Sequence, residues 1–219
     1  MTTNIGPGHR ALMSAHRRSG GDEADFYPTP PWAARAGGEL IKRIDPRAVD
    51  AWECACGPGH MAYGLEPYFD VVWTSDRFDY GGNRLFDFVR GGEAPFRCDW
   101  IVTNPPFNEA LAFIERGLAL ADRGVALLMR AAALESRERY DAMFGERGLA
   151  VFAPFCERAP MHKDRWEPDG STAAFYAWFV WLQPGVGEAN AVRPVVMPIP
   201  PGTRRRLTRA GDRSRWGCA

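Results

Sequence analysis

The chain has 219 residues, of which 46% are hydrophobic and 25% charged, with 27 basic side chains against 27 acidic ones. These values fit one globular domain with a sizeable core and exclude collagen, coiled coil and wholesale disorder. No run approaches the ~18 to 20 uncharged apolar residues that a spanning helix needs, and the opening residues lack an apolar signal core, so a cytoplasmic protein without a membrane partner is expected.

Residues 1–24 mix Gly, Pro, Ser, His and Arg without an apolar period, which predicts a mobile arm, with order beginning near Asp25. From there the pattern alternates short apolar runs with helix-like segments, as in a sheet wound with crossover helices. Strands are expected at 48–53, 71–76, 84–88, 99–103, 125–129, 149–153 and 174–182. Between them, Leu111, Ile114, Leu118 and Ala121 recur at helical intervals behind a capping Asn108, and a more polar helix should follow Ser136 and reach Phe144. The fold class is therefore α/β, with the ordered domain spanning 25–182. Residues 183–219 read as an appendage, a linker rich in Pro followed by a tail carrying Arg204, Arg205, Arg206, Arg209, Arg213 and Arg215 against Asp212. Arginine runs of this kind bind polyanions or form a solvated end.

The first strand leads into Glu53-Cys54-Ala55-Cys56-Gly57-Pro58-Gly59-His60, a glycine turn that opens a helix. Glycines let the backbone turn sharply and approach a ligand, and the helix start presents free amides. Asp76 ends the next strand, where a carboxylate can accept two ribose hydroxyls. These features suit a dinucleotide or S-adenosylmethionine. Glu53 favours the latter, because a carboxylate beside the turn repels a pyrophosphate but attracts a sulfonium and an ammonium. Cys54, Cys56 and His60 lack the second spaced pair that a zinc site uses, so no metal is assigned. Five scattered cysteines (these two with Cys98, Cys156 and Cys218) argue against a disulfide framework.

The strand at 99–103 ends in Asn104-Pro105-Pro106-Phe107. Paired prolines fix an extended chain without amide protons, which leaves the Asn104 side-chain oxygen and the Pro105 carbonyl as acceptors for an amino group. Phe107 offers a flat face to a planar, nitrogen-bearing substrate. Two acceptors gripping an aromatic amine draw its nitrogen toward tetrahedral character and aim its lone pair at a methyl donor, so transfer needs positioning more than a strong base.

At these motifs the sequence resembles amino-group methyltransferases of the DNA adenine-N6 type, especially the short single-domain enzymes of bacteriophages. The resemblance runs over most of 25–182 and rests on Tyr27-Pro28-Thr29-Pro30, the glycine turn and the Asn-Pro-Pro-Phe tetrad in that order. It implies a Rossmann-like domain with a mostly parallel seven-stranded sheet, an antiparallel last strand and helices on both faces. It further implies that Tyr27 to Pro30 hold the methionine end of S-adenosylmethionine, that Asp76 takes its ribose, and that Asp87 and Phe88 take its adenine. The late stretch from Trp166 through Asp169-Gly170-Ser171 to Trp178 is similar to a segment of the same enzymes.

A target adenine must leave the duplex or be unpaired. Arg158, His162, Lys163, Arg165 and Trp166 are the loop residues expected to grip the DNA, with the arginine tail. No target-recognition domain is evident, so a protein partner or homodimer could supply specificity. Methylation of an rRNA base or a protein glutamine nitrogen is the alternative within enzymes; a non-catalytic nucleic-acid-binding scaffold is the alternative outside them.

Overall fold

The computed structural model describes residues 26–135, 137–187 and 194–216. The expected arm, Asp25, Ser136 and Cys218 lie outside these residues. Among the described residues, eight strands form one sheet: β1 (Asp50–Glu53), β2 (Val71–Asp76), β3 (Arg84–Leu85), β4 (Cys98–Thr103), β5 (Ala121–Arg130), β6 (Val151–Pro154), β7 (Tyr176–Leu182) and β8 (Val195–Val196). They lie in the order β3-β2-β1-β4-β5-β7-β6-β8. Among the pairings of these described strands, only β5–β7 and β6–β7 are antiparallel, so β7 is the reversed strand anticipated for the domain's end.

The central strands are buried on both faces, and their side chains divide between two cores with a period of two. Ala51, Trp100, Val102, Ala126, Leu128, Trp178 and Val180 face one core. Trp52, Ile101, Val125, Leu127, Phe179 and Trp181 face the other. The first core is covered by α1 (Pro31–Ile44) and α2 (His60–Leu65), the second by α3 (Ala110–Leu120) and α4 (Tyr140–Phe144). Helix α1 begins on a proline, which lacks the amide that would have no partner there. It sits hard against the sheet: a Cβ on Gly37 would lie 2.4 Å from the Trp178 indole, and Trp178 Nε1 donates to the Ala33 carbonyl at 3.1 Å.

Several boundaries differ from the sequence pattern. Ala121 opens β5 instead of closing α3, and Asn108 does not cap that helix, whose first turn follows Glu109 without a side-chain cap bond. Strand β3 stops at Leu85 because the chain turns at Asp87, whose carboxylate accepts from the Val89 and Arg90 amides at 3.0 and 2.8 Å.

The larger correction concerns the segment read as a linker and tail. Val195 and Met197 donate to the Ala150 and Phe152 carbonyls, so β8 adds an eighth strand at the sheet edge, the position that neighbouring prolines tolerate. Two further helices follow, α5 (Thr203–Leu207) and α6 (Ala210–Trp216). They dock on α1 through Arg35, whose guanidinium donates to both oxygens of Asp212 at 2.7 Å and to the Leu207 carbonyl at 2.8 Å. Both charged side chains are fully buried. The mostly basic, mostly polar tail pattern conceals that its one acid and its apolar Leu207 and Trp216 face inward.

Candidate functional site

Strands β2 and β4 flank β1 on opposite sides, so the chain reverses its winding at β1 and leaves a crevice at the carboxyl ends of these strands. Glu53 closes β1, Asp76 closes β2, and Asn104 follows β4. The glycine turn bends between them with Gly57 at φ +51° and Gly59 at φ +100°. A Cβ at Gly57 would come 2.8 Å from the Phe26 ring, so glycine is required there by both conformation and space. Asp76 spans the turn, accepting from the Gly57 and Phe78 amides at 2.9 Å each. Burial pushes its carboxyl above the usual range despite those amides.

Glu53 is buried, and desolvation raises its pKa to about 8, assisted by the nearby Asp76. Thr103 Oγ1 donates to it, as does the Ala55 amide at 3.3 Å. The adjacent Cys54 and Cys56 are buried thiols whose pKa values burial pushes upward.

Asn104 is fixed by its nitrogen. Nδ2 donates to the Tyr27 carbonyl at 3.0 Å and to Thr29 Oγ1 at 3.2 Å, and it touches Met161 Sδ at 4.0 Å. A carbonyl can only accept, so this contact settles which amide atom faces Tyr27. Oδ1 therefore points the other way, buried and without a hydrogen-bond partner among the described residues. Such an atom is costly unless something donates to it.

These groups line one cleft that opens to solvent. Asp87 and Phe88 border it, yet Asp87 already serves its own turn, and Phe88 is 2% exposed, wedged against Trp52 and Phe113. Glu109 holds the rim by accepting from Arg90 at 2.8 Å and Arg77 at 3.3 Å.

No family model and no curated relative matches the sequence. Solved structures do match in shape. The methyltransferase subunit of a type I restriction-modification system from Streptococcus thermophilus aligns with a TM-score of 0.60 at 11% identity, over 89% of this chain and 54% of that one. This chain thus corresponds to about half of that subunit. A candidate RNA methyltransferase from Pyrococcus horikoshii aligns with a TM-score of 0.53 at 14% identity, over 72% of this chain and 86% of that one. The fold is that of the Rossmann-like methyltransferases.

On this methyltransferase fold, the site residues read from sequence separate into two groups. Tyr27, Pro28, Thr29, Glu53, Cys54 to Gly57, Asp76 and Asn104 to Phe107 converge on one cleft, whereas Gly59 lies outside its lining, on the side of Trp216. Pro30 stands just outside, where its carbonyl accepts from Ala33 and Ala34 to start α1. The Tyr-Pro-Thr-Pro segment has a contact that the motif did not suggest: it anchors Asn104.

The residues expected to grip DNA are mostly committed elsewhere. Trp166 is 3% exposed, a core side chain and not a surface contact. Arg158 donates to the Ala173 carbonyl at 3.0 Å, Arg165 pairs with Glu167, and His162 lies half-buried 3.7 Å from Glu167. In the tail, Arg204 reaches the Pro168 carbonyl and Arg206 pairs with Glu39 at 2.6 Å. Lys163 and Arg205 are exposed. Sequence reading weighed His60 only as a metal ligand, whereas its ring packs against Trp216 with centroids 4.1 Å apart; it missed Arg130, which lies over Phe107 at 4.4 Å. Arg130 belongs to no motif, and both contacts are made by tertiary packing between distant segments.

Proposed function

We propose that the protein transfers a methyl group from S-adenosylmethionine to the exocyclic N6 amine of adenine in DNA. The observation that carries this reading is Asn104, whose buried Oδ1 lacks a donor while its nitrogen is locked behind it. An amino group of the substrate would supply that donor. Phe107 sits beside it for stacking, and the Pro105 carbonyl adds a second acceptor. The cleft's chemistry fits the cofactor: it sets two buried carboxyl groups around a glycine turn. Glu53 would face the cationic end and Asp76 the ribose. When bound, S-adenosylmethionine supplies an electrophilic methyl on a sulfonium. The chain's own part is to hold the amine at Asn104, exclude water and orient the nitrogen's lone pair. Likeness in fold to a restriction-modification methyltransferase subunit supports nucleic acid as substrate.

The test is transfer of labelled methyl from S-adenosylmethionine to DNA, RNA and bulk protein in parallel, with nucleoside mass spectrometry of the labelled pool. N6-methyladenine in DNA is the expected product. Label in RNA or protein overturns the substrate while keeping the chemistry, and DNA binding without label in any pool leaves a non-catalytic scaffold.

A further inference from the structure

Arg130 ends β5, and its guanidinium lies 4.4 Å from the centroid of the Phe107 ring and 5.8 Å from that of Tyr27. The two rings are themselves 5.2 Å apart. Arg77, Arg90, Arg123, Arg206 and Arg213 all pair with carboxylates. Arg130, exposed at the strand end, instead meets aromatic side chains: Phe107, Tyr27 and Tyr176. Its charge is thus left without an anion among the described residues.

A guanidinium is planar and cationic, so it stacks on an aromatic face much as a small ring does. A planar base whose amine reaches Asn104 Oδ1 needs Phe107, three residues further on, and the guanidinium stands over that ring. Entry of the base requires Arg130 to move. A nucleotide also brings a phosphate, and the released fork matches two phosphate oxygens. We propose that Arg130 is an exchange group: it covers Phe107, yields to the incoming base, and pairs with a phosphate flanking that nucleotide. The proposal rests on the reading of the substrate as nucleic acid. It makes the site selective for a nucleotide within a strand, since a protein amide offers neither a ring to displace the guanidinium nor a phosphate to receive it.

The experiment uses the full chain with labelled S-adenosylmethionine and denatured random-sequence DNA over a range of salt, comparing wild type with Arg130→Ala and Arg130→Lys. Arg130→Ala should raise KM for DNA roughly tenfold with kcat little changed, the loss of one charged hydrogen-bonding pair. The slope of log KM against log salt should shrink by about 0.7, one phosphate's share on a single strand. Arg130→Lys should restore the slope, because charge alone sets it. Adenosine, which has no phosphate, should inhibit the alanine variant at least as well as wild type, because its stacking face is uncovered. An unaltered salt slope in Arg130→Ala, or a loss confined to kcat, overturns the exchange role while methyl transfer by wild type upholds the nucleic-acid reading. A wild-type chain that labels neither DNA nor RNA overturns that reading and this proposal together. Calorimetric affinity for S-adenosylmethionine checks that the variants are folded; should the alanine variant fail it, the slope of Arg130→Lys against wild type decides, a slope reduced to one phosphate fewer overturning the proposal.

Discussion

Asn104 shows how much of a site can rest on a single amide. Its nitrogen spends both protons on the Tyr27 carbonyl and Thr29 Oγ1, so its oxygen is aimed by the segment that precedes α1. Asn104→Ala should lower kcat by about 10²- to 10³-fold, the usual effect of losing one preorganised polar contact, and leave cofactor affinity within about twofold. Thr29→Val keeps the shape but removes one of the two anchors, so a smaller fall in kcat with an unchanged cofactor Kd is expected. Single-turnover kinetics beside calorimetry check both; wild-type turnover in Asn104→Ala would remove this residue from the site. Glu53 makes a second prediction. With a pKa near 8, it carries its proton at neutral pH when no cation lies beside it. A cationic ligand favours the carboxylate, so binding should release that proton. Affinity for S-adenosylmethionine should then rise with pH up to about 8 and level off above it. Calorimetry in buffers of different ionisation heat measures the release directly, and Glu53→Gln should abolish both it and the pH dependence.

Among the elements, those with a period or a punctuating residue were legible before the structure. The apolar runs of β1, β2, β4, β5 and β7 announced themselves, and the glycine turn and the paired prolines marked strand ends that the sheet brings to one edge. Helices α5 and α6 were not legible, because they are too short for a period to emerge and arginine and small residues make up their surface. What holds them is a contact 177 residues apart in sequence, Arg35 with Asp212, which no local pattern encodes. For the same reason Trp166 looked like a surface aromatic and is core. Asp212→Ala would strand the Arg35 charge in the interior, and a loss of about 3 to 5 kcal/mol is expected in chemical denaturation. Replacing both partners with apolar residues, Arg35→Met with Asp212→Leu, should recover most of that loss. A single Asp212→Ala variant as stable as wild type would show that the C-terminal helices are dispensable to the fold.

For the whole molecule, two buried groups set opposing limits on stability. His60 is packed between Phe26 and Trp216, and burial lowers its pKa to about 3 from an ordinary 6.5. The unfolded chain therefore takes up a proton below pH 6.5 that folded His60 refuses, and stability falls as acid is added, until about pH 3. Glu53 acts at the other end. The folded chain keeps its proton up to about pH 8, whereas an unfolded glutamate releases it near 4.5, so stability falls as pH rises between those values. Where the two ranges overlap, from about 4.5 to 6.5, the slopes cancel and a plateau is expected. Thermal unfolding of the cofactor-free protein across pH should trace that plateau with a decline on the alkaline side. Glu53→Gln should flatten the alkaline decline and leave the acid side intact, and His60→Phe, which keeps the ring against Trp216, should do the reverse. Saturating S-adenosylmethionine should also lessen the alkaline loss, because a ligand that favours the Glu53 carboxylate binds more tightly where the empty protein is weakest. The alkaline limb is thus the cost of a buried acid without a cation beside it, and its reduction on binding would tie the fold's stability to the same carboxylate that receives the cofactor.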